Sequence, residues 1–100
     1  MRAAPVEVVT TPQGRTALII AQVQALVTAG VLTPDQGAGL IDKLNAIIAK
    51  LNIGQSGAAC NQLSAFINQV GGFVKSGALT PAQGQALIDA AAAVKSQIGC

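Results

Sequence analysis

The sequence predicts an all-α protein, a four-helix bundle made of two tandem antiparallel helical hairpins. Two observations support this fold class. Apolar residues recur at three- and four-residue steps through most of the chain, which is the period of an amphipathic helix. In addition, the stretch GVLTPDQG at 30–37 returns 47 positions later as GALTPAQG at 77–84. The first pattern predicts the helices, and the repeated stretch predicts a hairpin that occurs twice.

The composition suits closely packed helices. Of the 100 residues, 51% are hydrophobic, but Phe66 and Phe73 are the only aromatic ones, so the core must consist of Leu, Ile, Val and Ala. A chain of this length is typical of one domain, which buries roughly 60–65% of its unfolded surface. We therefore expect one hydrophobic core shared by all the helices.

The first 14 residues fall outside the helical pattern. PVEVV at 5–9 alternates like a short strand, and TTPQG at 10–14 is typical of a turn. A lone strand has no partner here, so residues 1–14 are predicted to form an N-terminal tail or the remnant of a preceding β-domain. The bundle itself is predicted to cover residues 15–100.

Four helices account for the apolar periodicity of the rest. The first is predicted to run from about residue 15 to about Ala29, and the second to end near Asn52. The third is predicted to end at Gly77, and the fourth to follow a short turn. The predicted core positions, in chain order, are Leu18, Ile19, Val23, Leu26, Val27, Leu40, Ile41, Leu44, Ile47, Ile48, Leu51, Leu63, Phe66, Ile67, Val70, Phe73, Val74, Leu87, Ala90, Ala91, Val94 and Ile98.

The repeated stretch contains the signals that end one helix and start the next. Gly30 stands where a left-handed residue closes a helix. Thr33, Pro34 and Gln36 then occupy the N-cap, N1 and N3 positions of a capping box with proline at its favoured place. The second copy offers the same set, namely Gly77, Thr80, Pro81 and Gln83.

The similarity extends beyond the turns. Residues 27–51 and 74–98 share 11 identities in 25 aligned positions. Short connections make each hairpin antiparallel, and two hairpins bury their apolar faces by packing together.

A glycine recurs inside the first turn of both the second and the fourth helix. At these positions, Gly37 and Gly84, glycine costs up to ~1 kcal/mol relative to alanine. We therefore expect a neighbouring helix, or the side chain of Leu32 or Leu79, to cross close to the backbone there.

The two cysteines are predicted to form a disulfide. In a hairpin that turns near residue 78, position 60 lies opposite about residue 97, so Cys60 and Cys100 come to the same end of the bundle. Two unpaired thiols are the alternative, but a cysteine at the extreme end of the chain suits a covalent tie. Such a bond indicates folding in an oxidising compartment. Two cysteines without histidine are too few for a structural zinc site.

The sequence offers no constellation typical of catalysis, a metal or a cofactor, so we expect no enzyme activity and no cofactor. Histidine is absent, and the serines have no neighbouring base. Asp35 suits the helix dipole at N2, whereas Asp42 and Asp89 occupy matching positions on solvated faces. The lysines, likewise predicted to lie on the surface, are Lys43, Lys50, Lys75 and Lys95.

Charge and hydropathy argue against nucleic-acid binding and against a segment that spans a membrane. The net charge of +2 is spread along the chain, unlike the basic patch that binds nucleic acid. No stretch has the 18 apolar residues that span a bilayer, and residues 1–15 do not resemble a signal peptide. If the protein is exported, the chain is expected to be mature or a fragment of a longer one.

The amides of the third helix allow two interpretations. The helix carries Asn61, Gln62, Asn68 and Gln69, of which Asn68 and Gln69 adjoin its apolar stripe. Hydrogen bonds between helices are the favoured interpretation, and the edge of a binding surface is the alternative.

The two halves of the chain resemble a known helical module. The runs AACNQLSAFINQV at 58–70, SGALTPAQGQALIDAAAAV at 76–94 and VTAGVLTPDQGAGLIDKLNAIIAKL at 27–51 are similar to the FIMAH type of domain. The resemblance covers about residues 16–100, and its motifs are capping and packing motifs with no catalytic residues to transfer. It implies an accessory, non-catalytic module of secreted bacterial multi-domain proteins.

Together these features predict a non-catalytic extracellular module with a structural or interaction role. Its partner would be another protein or a neighbouring domain of the same polypeptide. Three alternatives stay open at the level of sequence: a stand-alone secreted factor that binds a protein as an inhibitor or toxin-like ligand, a membrane-active amphipathic bundle, and a self-assembling subunit.

Overall fold

The computed structural model describes residues 11–100, and the strand predicted at 5–9 lies outside this range. The described chain is all-α, as predicted, and holds four helices. They are α1 (Pro12–Thr28), α2 (Pro34–Asn52), α3 (Ser56–Ser76) and α4 (Pro81–Ile98).

The four helices form a closed ring. Each helix packs against the next one in the chain, and α4 packs against α1, whereas the Cα atoms of diagonal helices stay more than 8 Å apart. The short turns at 29–33 and 77–80 close the two hairpins, which we name hairpin 1 (α1 and α2) and hairpin 2 (α3 and α4). Two lines of contact, the α2–α3 seam and the α1–α4 seam, hold the hairpins together. The predicted bundle of two antiparallel hairpins is therefore confirmed.

The first helix begins earlier than the sequence analysis predicts. Thr11 is its N-cap, and the Thr11 Oγ1 accepts a hydrogen bond of 2.9 Å from the backbone N–H of Gly14. Pro12 occupies N1, so the segment interpreted as a turn is the start of α1. The predicted boundary at residue 15 was therefore wrong by three residues. The missed signal is Thr-Pro, the same cap and N1 pair that opens α2 and α4.

The predicted helix ends are confirmed at both repeated turns. Gly30 and Gly77 have φ of 79° and 85°, the left-handed conformation that glycine adopts without a Cβ clash. The backbone N–H of Val31 donates to the carbonyl oxygen of Leu26 at 2.9 Å, and Ala78 N–H donates to Phe73 O at 2.9 Å. These are the long hydrogen bonds of a Schellman motif. The ends of α2 and α4 differ little from those of α1 and α3, since Gly54 and Gly99 repeat the left-handed conformation.

Both predicted capping boxes are present. The Gln36 N–H donates to Thr33 Oγ1 at 3.1 Å, and the Thr33 N–H donates to Gln36 Oε1 at 2.9 Å. In hairpin 2, Thr80 and Gln83 make the same pair of bonds at 3.1 and 3.0 Å. The third helix differs, because its N-cap residue Gln55 makes no side-chain cap hydrogen bond.

This difference makes a paired experiment possible. Thr80→Ala is expected to lower the free energy of unfolding by about 1 kcal/mol, because the hydroxyl that satisfies a free N–H of α4 is lost. Gln55→Ala is the matched control at an N-cap without a side-chain bond, and we expect a change below about 0.5 kcal/mol. Urea unfolding of both variants, followed by circular dichroism, measures the two values. Equal losses at the two positions would contradict this account of the caps.

Most predicted core positions are buried or half-buried, but Leu18 is an exception. Its side chain is 45% exposed, because it lies one residue away from the stripe of Ile19 and Val23 that faces the neighbouring helices. The core also contains two leucines from the turns, Leu32 and Leu79, each 2% exposed.

The close approach predicted at Gly37 and Gly84 is confirmed, and the neighbouring helix supplies it. A Cβ built on Gly37 would collide with Cγ2 of Val27 and lie 3.7 Å from its Cβ. A Cβ on Gly84 meets Val74 in the same way, with the Val74 Cβ at 3.6 Å. Each valine belongs to the preceding helix of the same hairpin, so glycine lets the two helices of each hairpin approach closely near the turn.

Candidate functional site

The disulfide predicted between Cys60 and Cys100 is present. It joins the second turn of α3 to the second residue after the end of α4, with a Cα–Cα distance of 6.2 Å. The backbone N–H of Cys100 donates to Lys95 O at 2.9 Å, so the helix-ending motif itself directs the last residue toward α3. The bond lies within hairpin 2 and ties its open end.

A hydrogen bond that the sequence analysis missed lies beside the disulfide. Lys95 Nζ donates to Ser64 Oγ at 2.9 Å, joining α4 to α3 between partly buried side chains. The prediction that Lys95 serves only as a surface charge was therefore incomplete. Cys60 and Ser64 are four residues apart and share a helix face, which places both tertiary ties on the same side of α3. The spacing is visible in the sequence, but the partner on α4 is not.

The acidic residues do not converge. Asp35 lies in the first turn of α2, as predicted, where its charge complements the helix dipole. Asp42 and Asp89 are exposed and lie on different hairpins, and the Asp89 carboxylate accepts a bond of 2.7 Å from Gln85 Nε2. Within residues 11–100, His, Cys, Asp and Glu form no group of three or more that could hold a metal ion.

The amides of α3 divide into exposed and buried ones. Asn61 and Asn68 are exposed, whereas Gln62 and Gln69, one position further along, are half-buried on the adjacent face of the helix. Gln69 faces α2, with its Nε2 3.6 Å from the position that a Cβ on Gly39 would take. The Oε1 atoms of both glutamines are buried without a hydrogen-bond partner. The favoured interpretation, hydrogen bonds between helices, is therefore wrong for these two oxygens, which accept no hydrogen bond from any helix.

Shallow grooves follow both seams between the hairpins. One of about 350 Å³ lies at the α2–α3 seam, where small side chains leave space and where Asp42, Lys43 and Gln62 supply polar groups. Another of about 270 Å³ lies at the α1–α4 seam and is almost entirely apolar, with Leu26 and Leu87 in its lining. A groove of about 480 Å³ also lies between α1 and α2, so shallow grooves occur both at the seams and within hairpin 1.

The two unpaired oxygens lead to a prediction for Gln69. Gln69→Met is expected to raise the free energy of unfolding by about 1 kcal/mol, because an unbranched apolar chain of similar length removes a buried acceptor without a partner. Asn68→Met, at the adjacent exposed position, is the control, and we expect little change there. Thermal unfolding of both variants provides the comparison. A loss of stability in Gln69→Met would mean that the amide has a partner in solution.

On the described part of the surface, two large apolar side chains are exposed, and they lie apart from each other. Leu18 on α1 is 45% exposed, and Ile53 in the turn between the hairpins is 64% exposed. Among residues 11–100, none of the helices combines the length and the apolar character needed to cross a membrane.

Comparison with protein-family models, curated proteins and solved structures finds no match to this chain. The resemblance to a FIMAH-type domain therefore stays a prediction from the quoted motifs, and function must be argued from the residues of the bundle itself.

Proposed function

We propose that this chain is a non-catalytic extracellular module with a structural or interaction role, accessory to a secreted multi-domain protein. The Cys60–Cys100 disulfide is the observation that carries the proposal. Disulfides of this kind form and persist in oxidising environments, whereas cytosolic thiols are kept reduced. A covalent tie at the open end of a small helical bundle suits a domain that must stay folded outside the cell.

The surrounding geometry supports a structural role over a chemical one. The helices are held by three threonine caps, two of them full capping boxes, and each ends in a left-handed glycine. Polar groups such as those of Asp42, Lys43 and Gln62 line a shallow groove between helices. A partner would therefore recognise the rigid shape and the uncharged polar surface of the bundle, since no cluster of charges dominates its described part.

The bacterial FIMAH-type resemblance supports the accessory role. Its motifs, the repeated Gly-x-Leu-Thr-Pro turns, coincide with the glycine stops and capping boxes described above. Modules of that type are joined to other domains, so we propose a neighbouring domain of the same polypeptide, or a separate protein, as the partner.

Two measurements on the native protein test the proposal. The organism that makes the protein is cultured and separated into supernatant and cell fraction. Each fraction is treated with a thiol-alkylating reagent, once without reduction and once after it. Mass spectrometry should find the two cysteines protected until reduction, and mainly in the supernatant. An immunoblot with an antibody against the bundle should then detect a polypeptide larger than the 9.9 kDa of this chain.

Each measurement has an outcome that would overturn its part of the proposal. Freely alkylated cysteines in the cell fraction would contradict the extracellular location. A secreted species of only about 9.9 kDa would favour the stand-alone protein-binding factor over the accessory module.

A further inference from the structure

We propose that the bundle forms a dimer with a second copy of this chain by exchanging hairpin 1. In this dimer the turn at 53–55, here named the linker turn, opens, and α2 continues into α3 as one helix over 34–76. Hairpin 1 of each chain then packs on hairpin 2 of the other through the same two seams. The inference is independent of the proposed function and concerns a self-association surface.

The linker turn is the one connection of the described bundle whose residues permit a continuous helix. In the two hairpin turns, Pro34 and Pro81 directly follow the N-cap. Proline has no backbone N–H to donate, and its ring would clash with a helical turn before it, so a helix cannot run through these turns unbroken. The linker turn has no proline, and its N-cap Gln55 makes no side-chain cap bond. Helix α3 therefore has the weakest start signal of the four helices.

Opening the linker turn requires few changes. Its backbone bonds are Gly54 N–H to Leu51 O at 3.1 Å and Gln55 N–H to Lys50 O at 2.9 Å. A continuous helix replaces them by ordinary bonds to the residue four positions earlier. Gly54 has φ of 77° and is open to solvent on its Cβ side, so no side chain obstructs its change to a helical φ.

Each hairpin is consolidated within itself, so hairpin 1 can move as a unit. The Cys60–Cys100 disulfide and the Lys95–Ser64 hydrogen bond both lie inside hairpin 2. The Val27–Gly37 contact lies inside hairpin 1. Within residues 11–100, the disulfide is the only covalent cross-link, and it does not join the two hairpins.

The seams between the hairpins also show packing imperfections. They contain the unpaired Oε1 atoms of Gln62 and Gln69 and the two grooves along the seams. All of these contacts re-form between chains after exchange, so the monomer and the dimer differ mainly in the linker turn. Exchange of identical elements is a low-cost route to dimers for this reason. The joined helix over 34–76 would be about 64 Å long at 1.5 Å per residue.

Two substitutions shift the equilibrium in opposite directions. Gly54→Ala disfavours the left-handed turn and favours the continuous helix, so we expect the dissociation constant of the dimer to fall at least tenfold. Ser56→Pro places proline at N1 of α3, as in α2 and α4, and blocks the continuous helix. We expect the dissociation constant of the Ser56→Pro dimer to rise at least tenfold.

The experiment uses the full chain, unfolded and refolded at concentrations from 10 µM to 1 mM. Size-exclusion chromatography with light scattering measures the fraction of dimer. Non-reducing electrophoresis must show single chains, which excludes intermolecular disulfides. Chains labelled with ¹³C and unlabelled chains are then refolded together, and intermolecular nuclear Overhauser effects are sought between Leu26 and Leu87, which line the same groove from opposite sides of the α1–α4 seam.

We expect the fraction of dimer to be lowest for Ser56→Pro, intermediate for the natural sequence and highest for Gly54→Ala. The dimer should show seam contacts between chains. Circular dichroism of each monomer checks that the variants fold, and the natural sequence alone provides the test if one does not. The proposal is overturned if the natural sequence and every folded variant stay monomeric at 1 mM. A dimer whose seam contacts all remain within one chain would overturn it equally.

Discussion

Replacing both cysteines by serine is expected to lower the free energy of unfolding by about 4 kcal/mol. Cys60 and Cys100 are separated by 40 residues, and the loop that they close restricts the unfolded chain by roughly this amount in the chain-entropy model. The loss is large for a domain of this size, whose total stability is typically about 5–15 kcal/mol. We therefore expect a folded variant whose melting temperature is lower by roughly 15 °C or more.

Urea unfolding followed by circular dichroism, with and without reductant, measures this effect. The reduced natural sequence should match the Cys60→Ser/Cys100→Ser variant, since both lack the same bond. A difference below about 1 kcal/mol between the oxidised and reduced proteins would contradict the predicted contribution.

Hydrogen exchange shows where the disulfide acts. The second half of α4 buries few large side chains. It begins with four alanines, Ala90 to Ala93, and the last fully buried residue of the helix is Val94. The disulfide and the Lys95–Ser64 bond hold this segment against α3. Without the disulfide, we expect amides after Val94 to lose protection first. Uniform loss of protection throughout the bundle would indicate that the bond acts only on the unfolded chain.

The second large effect is expected at the close approach in hairpin 2. Gly84→Ala should lower the free energy of unfolding by about 1–2 kcal/mol, although alanine is the better helix former by about 1 kcal/mol. The new methyl group would collide with Cγ2 of Val74 and lie 3.7 Å from Cγ1 of Val70. Val74 has little freedom to move aside, because one χ1 rotamer of valine dominates in helices. Chemical denaturation measures the change.

Two controls separate crowding from helix propensity. Gly72→Ala lies in α3 with open space on its Cβ side, and there we expect a gain of about 1 kcal/mol. In a Val74→Ala background the obstructing methyl groups are gone, so Gly84→Ala should become stabilising. The pair therefore forms a double-mutant cycle with a coupling of about 2 kcal/mol. Additive effects of the two substitutions would contradict the predicted contact.

The repeat extends this prediction to hairpin 1. Gly37 and Val27 have nearly the same geometry as Gly84 and Val74, with Cβ contacts of 3.7 and 3.6 Å respectively. Gly37→Ala should therefore cost about as much as Gly84→Ala. The two hairpins then serve as internal replicates of one packing motif.

The helices and their turns could be predicted closely because their signals are local. The residues Thr33, Pro34 and Gln36 bond to their own backbone neighbours, and Gly30 takes a conformation that other residues avoid. The one misplaced start, at Pro12, carried the same Thr-Pro signal but lacked the glutamine at N3.

The details of the candidate site were less predictable because they depend on partners distant in sequence. Helical periodicity alone did not reveal that Leu18 lies outside the ring of contacts, since its exposure depends on where α2 and α4 stand. Nor did it show that Lys95 meets Ser64, 31 residues away. The burial of the unpaired Oε1 atoms of Gln62 and Gln69 likewise depends on how the helices pack.

The sequence by itself therefore determined the helices, the two hairpin turns, the repeat and the pairing of Cys60 with Cys100. All of these depend on short-range backbone chemistry or on the direction in which a short turn sends the chain. Only the tertiary structure decided which side chains meet across the seams, because that depends on the rotation of each helix about its axis and on the space between neighbours. Gly37 and Gly84 show both contributions. The sequence reveals the repeated glycines, but only the packed bundle reveals the valine side chains that require them.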